Sequence, residues 1–504
     1  MTSHRKTDYR LRRLDANRLE LPNDRGIPVR IFANDGVPIE RAAVDELLGL
    51  FELQETIARM LSAAPELFDG DAGVEAVSLS SDFHRGAGIP IGTTLKTRGV
   101  AVPQAVGTDV NCGMRVHQTG LTYDQVEGRL DVLERRIRHI FFQGGRGIGL
   151  TQTQREAMLR EGIPGLLNSD ALTGEAWLAA ADELNRINGG GGAPTDVPAM
   201  FGDYIRGAGS AGAVSYDSQI GSLGGGNHFL ELDVIKSIHD RATAHAWGLR
   251  EGQVVIMVHT GSLGLGHTAS AVGKAAMRAL LPSTMPMPDN GITVLPLGEG
   301  CADALAMVRS AIRTASNFAF ANRFYLVRMA IQALEAEIGE VGASLLWDAP
   351  HNLLWEEADG VVVHRKGSTP ARGPEALVGT PFLWGEPVIV PGSMGAPSFI
   401  LRSLGNAEAL YSACHGAGRA LSRGEAQRGN DAELDQFLAR FRVVTPVDPR
   451  AIRGRSDLMA AWRQELKQEA PFAYKNIGPV IDTLRGAGVA EPVVELHPLL
   501  TVKS

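Results

Sequence analysis

The chain has 504 residues, 44% of them hydrophobic and 21% charged, which excludes wholesale disorder and a fibrous architecture and leaves room for a sizeable buried core. A formal net charge of −8, from 49 Lys and Arg against 57 Asp and Glu, excludes a surface that coats polyanions non-specifically, so any contact with nucleic acid must be local. At roughly 150 residues per domain, the length fits either about three domains or one large enzyme with insertions.

In chain order, residues 1–25 are basic but lack an apolar segment, and Asp8 and Asp15 speak against a transit peptide. They read as a flexible N-terminal extension of a cytoplasmic protein. The three cysteines, Cys112, Cys301 and Cys414, are too few for a disulfide framework and fit a reducing compartment. No uninterrupted apolar run approaches the roughly 18 residues of a membrane span, so no membrane partner is expected. Apolar spacing predicts amphipathic helices over 41–62, with Val44, Leu47, Leu48 and Phe51 on one face, and over 123–142, opened by a capping box of Thr122 and Gln125. A long helix is expected over about 302–337. Short apolar runs at 254–258, 361–363 and 388–390 have strand character, and each ends at a polar or glycine-rich motif. Helices and strands do not alternate regularly, which predicts a mixed α+β fold rather than a doubly wound sheet. The glycine-rich stretch at 189–203 reads as a flexible surface loop. Because polar motifs are scattered from residue 82 to residue 475, one large catalytic unit over 26–504 is expected.

The 59 glycines exceed the usual share of about 7% and fall in clusters, which let backbone approach a ligand closely and present N–H groups to anions. Asp109 and Cys112, in GTDVNCGM, have the spacing of metal ligands on a tight turn. With imidazoles added, such a set suits a borderline divalent ion, and composition alone favours Zn²⁺. Asn227 and His228 follow a glycine loop, His259 caps the 254–258 run, and His351 with Asn352 follows an apolar run and a proline. Singly, each histidine reads as structural; together with Asp109 and Cys112 they read as a metal site.

His415, flanked by Gly416, Gly418, Arg419 and Arg423, can act as a nucleophile toward phosphorus, with Arg419 compensating charge; the plainer reading is a helix N-terminus. The turn at 391–398 either cradles phosphate or merely reverses the chain. Lys475 is a second possible covalent nucleophile. His84 can contact substrate, and Arg365 and Lys366 beside His364 read as phosphate contacts. His117, His139, His239, His245 and His497 are given no role.

Nine of these motifs, in order, resemble the RtcB family of GTP-dependent RNA-splicing ligases: SDFHRGAGIPIG at 81–92, GTDVNCGM at 107–114, GSLGGGNHFLE at 221–231, MVHTGSLGLGH at 257–267, PHN at 350–352, VHRKGS at 363–368, PGSMGAPS at 391–398, CHGAGR at 414–419 and YKNI at 474–477. The resemblance implies one α+β unit with mixed sheets and surrounding helices. It implies two Mn²⁺ ions, one held by Asp109, Cys112 and His228 and the other by Cys112, His259 and His351. It implies that His415 becomes guanylylated by GTP. Asn227, His228, Phe229, Leu230, Glu231, His351, Asn352, Pro391, Gly392, Ser393, Met394, Ser398, His415, Gly416, Ala417, Gly418 and Lys475 would then bind the nucleotide.

By the same resemblance Asp82, Arg365, Lys366 and Arg419 would lie near the RNA. The implied reaction joins RNA 3′-phosphate or 2′,3′-cyclic phosphate ends to 5′-hydroxyl ends, in RNA repair or tRNA splicing. Alternatives are a variant that caps or repairs one damaged RNA or DNA 3′-phosphate end, and a non-catalytic binding subunit. An activating protein partner is left open. Three positions depart from the family pattern: Leu263 where many relatives carry arginine, Asn476 where YKDI is usual, and Ser368 in place of alanine. No aromatic residue for stacking on guanine is identified.

Overall fold

The computed structural model describes residues 11–207, 212–216 and 218–504. Two sheets organise them. The first runs, in spatial order, Arg12–Arg13, Arg18–Glu20, Val29–Phe32, Gly73–His84, Ile91–Arg98, Val361–Lys366 and Asn352–Glu356. The second runs Ser344–Pro350, Gly113–Thr122, Gln253–Thr260, Phe229–Ile238, Ala490–Val502, Ser398–Ser403 and Pro387–Val390, with Val443–Val444 laid parallel beside Ala490–Val502. Strands distant in sequence are neighbours in both sheets, so the α+β class expected from the irregular rhythm is the one found. The stretch expected as an extension supplies the first two strands, paired Arg12 to Glu20 and Leu19 to Ile31; residues 1–10 lie outside the described residues. Among the described residues no helix is long and apolar enough to cross a membrane.

The expected helix over 41–62 is two, Arg41–Gly49 and Glu52–Ala63. At the junction the N–H groups of Leu50 and Phe51 bond three residues back, and the tightened turn buries both side chains. The helix over 123–142 also divides, at Gly128 and Arg129, and the Thr122–Gln125 capping box is present. Ala302–Ile338 is one unbroken helix of 37 residues whose central part is almost wholly buried.

The glycine stretch from 189 is not a flexible loop. The Ala193 N–H donates to Asn317 Oδ1 (2.9 Å) and its carbonyl accepts from Asn317 Nδ2 (3.0 Å), which pins the segment to the long helix. A Cβ at position 192 would stand 2.1 Å from the Glu161 carbonyl oxygen, so glycine is required there for close packing.

Candidate metal and nucleotide site

The antiparallel ladders of the second sheet decide where the chemistry collects. His259 and Thr260, ending one strand, face Met114 and Gly113 at the start of another; Pro350 also faces Gly113, and Phe229 faces His259. Strands that begin at one edge are thus interleaved with strands that end there. Cys112, His228, His259 and His351, each at or next to a strand end, converge at that edge although they span 240 positions of chain. Asp109 arrives on the turn before Cys112, which Asn111 makes possible by adopting a left-handed conformation (φ 54°).

Cys112 Sγ lies 3.3 Å from His228 Nε2 and 3.2 Å from His259 Nε2, and His259 Nε2 lies 3.2 Å from His351 Nε2. Asp109 Oδ2 is 2.8 Å from His228 Nε2. Two trios form, Asp109–Cys112–His228 and Cys112–His259–His351, each with its donor atoms within 4.8 Å of one another and with Cys112 common to both. Burial pushes the Cys112 thiol well up, and the Asp109 carboxylate adds to the shift. Burial likewise lowers the pKa of His259 and His351 well below the usual histidine range, which favours the neutral imidazole, the form that binds metal. A bound cation reverses the penalty on the thiolate. The donor set therefore fits metal binding, with the Cys112 sulfur common to both trios.

Behind this cluster lies a buried ionic layer. Arg323 Nη1 donates to the carbonyls of Asn111 (2.7 Å) and Thr260 (3.1 Å), and Arg323 Nη2 donates to Asn111 Oδ1 (3.1 Å). Arg323 Nε reaches Asp348 Oδ1 (3.0 Å), and Arg115 Nη1 reaches Asp348 Oδ2 (3.0 Å). Arg115 also pairs with Glu183, which accepts from His117 Nε2 (2.8 Å). Burial would raise the Glu183 carboxyl, but Arg115 and then His117 bring it down to about 2.

His415 follows the short strand Ser412–Cys414, whose Cys414 pairs with Ser368. Residues 415–422 form no helix, so the plainer reading of His415 as a helix start is not what is found. Its ring centroid is 4.6 Å from that of His351, and its Nδ1 is 2.7 Å from Asp82 Oδ2. Burial raises the Asp82 carboxyl, but His415 and the Ser80 hydroxyl outweigh it and hold Asp82 below its ordinary value. Asp82, expected near RNA, stands beside His415 and leaves Nε2 as the other ring nitrogen.

His415 borders a cleft of about 740 Å³, mouth included, lined also by Asn227, Phe229, Glu231, Pro391, Gly392, Ser393, Met394, Gly416, Ala417 and Gly418. These are most of the residues expected to bind nucleotide. The others lie outside its lining. Leu230 is in the core, and Ser398 Oγ accepts from the Gly392 N–H (3.0 Å). Asn352 braces the metal turn, donating to the Asp109 carbonyl (3.2 Å), and Lys475 Nζ donates to the Phe83 carbonyl (2.6 Å).

The expected phosphate contacts are engaged inside the fold. Arg365 lies over the Trp355 ring and donates to Ser412 Oγ (2.8 Å), Lys366 Nζ donates to the Ile89 carbonyl (2.7 Å), and Arg419 is held by Glu469 and the Gln468 carbonyl. His84 is buried at the cleft wall, and burial lowers its pKa to about 4.

The family model for tRNA-splicing ligase RtcB matches residues 70–504. The chain belongs to the RtcB family. It is 32% identical to the tRNA-splicing ligase RtcB of Thermococcus kodakarensis, over 98% of each chain, and 33% identical to that of Pyrobaculum aerophilum, over 95% of each. It is 32% identical to the RNA-splicing ligase RtcB of Mycobacterium tuberculosis, over 85% of this chain and 97% of that one. Asp82, the five residues of the two trios and His415 all lie within the RtcB-matched region.

Sequence reasoning missed several residues of this RtcB-family site. Tyr474, inside the YKNI motif, supplies an aromatic ring to the cleft, with its hydroxyl on Glu469 and the Arg419 guanidinium 5.1 Å from the ring centre. Lys503 and Glu469 also line the cleft. Lys503 reaches it because Ala490–Val502 pairs with the strand bearing Glu231, Thr501 facing Glu231, and its Nζ donates to the Gly226 carbonyl (2.6 Å). Burial pushes Glu231 up to about 7 and Lys503 down to about 8. Only Tyr474 carried a local signal, its motif; the others are brought in by pairing between distant strands.

Proposed function

We propose that the protein is a GTP- and Mn²⁺-dependent RNA ligase that joins RNA 3′-phosphate or 2′,3′-cyclic phosphate ends to 5′-hydroxyl ends through a GMP adduct on His415, serving RNA repair or tRNA splicing. The observation that carries this reading is the place of His415: its ring lies between the buried Asp82 carboxylate and the histidines of the candidate metal trios, at the border of the cleft lined by 391–394 and 416–418. Asp109, Cys112 and His228 would hold one ion and Cys112, His259 and His351 the other. When bound, such ions compensate charge on phosphoryl oxygens and polarise an attacking hydroxyl.

The chain's own residues do the rest. Asp82 takes up Nδ1 of His415 and orients the ring, so that Nε2 attacks the α-phosphorus of GTP; an N–P bond forms, the Pα–O bond to the β-phosphate breaks, and pyrophosphate leaves. Residues 391–394 and 416–418 line the cleft that would receive the phosphates, while Glu231 and Lys503 offer an acceptor and a donor to the edge of guanine. An RNA 3′-phosphate oxygen then displaces His415 from phosphorus, and a 5′-hydroxyl displaces GMP to seal the strand. A cyclic phosphate is first hydrolysed to the 3′-phosphate.

The test is incubation with GTP labelled at the α-phosphate plus Mn²⁺, followed by peptide mapping of the adduct. Label on the peptide of His415, abolished in His415→Ala, is expected. Label on Lys475, or undiminished labelling of His415→Ala, overturns the assignment.

A further inference from the structure

A second cavity, of about 980 Å³ with its open mouth included, lies between the long helix Ala302–Ile338, the strand Asn352–Glu356 and the turn at 188–193, and it shares no lining residue with the nucleotide cleft. Its lining is mostly apolar, including Phe320 and Leu353, but three features are foreign to a simple packing defect. Trp355, half-buried, contributes its indole, with the Arg365 guanidinium 4.4 Å from the ring centre. Asn188 is 8% exposed, and its side-chain amide has no hydrogen-bond partner among the described residues. Arg313, exposed on the helix, pairs with no carboxylate among the described residues, whereas Arg309 one turn earlier is held by Glu356 at 2.7 and 2.5 Å.

We propose that this cavity receives a nucleobase of single-stranded RNA flanking the junction, the base against Trp355 with its edge on the Asn188 amide, and a neighbouring phosphate on Arg313. This rests on the ligase reading and deepens it. An aromatic face, an amide and a free guanidinium are the groups by which unpaired bases and their phosphates are held. An acidic protein must concentrate its positive charge where the strand runs, and Arg313 is such a local charge. The location also fits. His351 leads straight into Asn352–Glu356, so Trp355 stands roughly 13 Å along the strand from the metal-binding histidine, within reach of a strand whose end lies at His415.

Fluorescence anisotropy with a labelled single-stranded RNA ending in a 3′-phosphate, over a salt series, tests the full-length protein. Arg313→Glu should weaken binding about tenfold and lower the salt slope by about one, while Asn188→Leu weakens binding with an unchanged slope. Both should self-guanylylate like the wild type. Photocrosslinks from 5-iodouridine near the RNA end should map to 353–355. Wild-type affinity and slope in both variants, or crosslinks confined to other segments, overturn the subsite. A wild type that takes no GMP label yet binds RNA with this dependence on Arg313 and Asn188 overturns the ligase reading and keeps the subsite.

Discussion

In front of Cys112 the atoms of the two candidate metal-binding trios face one another: thiol, carboxylate and three imidazoles. Immediately behind it, Arg115 and Arg323 face Asp348 and Glu183, so two positive charges meet two negative ones and the loop carbonyls of Asn111 and Thr260 are also satisfied. Both regions are buried and both are built at the same end of Gly113–Thr122. The difference lies in compensation. The rear layer balances its charges as it stands, with Arg115 Nε and His117 Nδ1 its two buried nitrogens without a partner among the described residues, and it braces the backbone from which the front side chains project; the front gathers donor atoms that could hold a metal ion.

The largest expected effect comes from breaking the front. Cys112→Ser replaces the sulfur common to both trios by a hydroxyl, a much poorer bridging ligand, so bound Mn²⁺ and self-guanylylation should both fall by about 100-fold or more. The swap is nearly isosteric, so stability should change by only about 1 kcal/mol. Metal content by mass spectrometry, GMP labelling and thermal unfolding on one preparation check this. Retained metal and activity would return Cys112 to the role of a buried structural cysteine.

This front was legible in the sequence because each of its residues stands in a local pattern: Asp109 and Cys112 share a glycine turn, and each histidine ends an apolar run or a glycine loop. The fold class was legible for a different reason, since the apolar run at 254–258 and the long helical stretch over about 302–337 read locally as strand and helix while the order of such segments showed no regular alternation. The rear layer was not. Arg115 and His117 sit on a strand, Glu183 near the end of a short helix and Arg323 in the middle of the long one, and nothing around them marks a charge destined for burial. His117 was given no role for that reason. The division of the helices at Leu50 and at Gly128 was equally hidden, because it serves tertiary burial rather than local propensity.

Breaking the rear sharpens the comparison. Arg323→Met removes the cation between Asp348 and the Asn111 carbonyl, leaving a buried carboxylate with only Arg115, and should cost about 3–5 kcal/mol in unfolding free energy. Metal affinity should fall as well, by about 10–100-fold, although Arg323 touches no metal donor in either trio. Denaturant unfolding and Mn²⁺ titration of the same variant separate the two effects. A stability change below about 1 kcal/mol would mean that the rear layer is not what holds the front in place.

The smallest expected effect lies at the rim, at Leu263, where the resemblance to the family leads us to expect arginine. Leu263 adopts a left-handed conformation (φ 50°) at the start of Leu263–Leu280. A Cβ built on Gly224 would meet Leu263 Cδ2 at 2.5 Å and His228 Nδ1 at 3.1 Å, so the leucine stands beside the imidazole of a front ligand. In the proposed reaction guanylylation rests on His415, the two trios and the cleft, and Leu263 supplies none of their polar atoms; strand joining would also need both RNA ends held in near-attack geometry. The two basic residues best placed by sequence to replace the missing arginine, Arg365 and Arg419, are already engaged with Ser412 and Glu469. An arginine at 263 would add a charge-assisted phosphate contact that leucine cannot make, a gain of about 1.5 kcal/mol and hence up to about tenfold in rate. We therefore expect Leu263→Arg to self-guanylylate like the wild type and to ligate a generic unstructured RNA several-fold faster. Steady-state ligation by the two proteins, each normalised to its guanylylated fraction, is the deciding measurement, and equal normalised rates would show that another cation, such as Arg423 at the cleft mouth, already serves the strand.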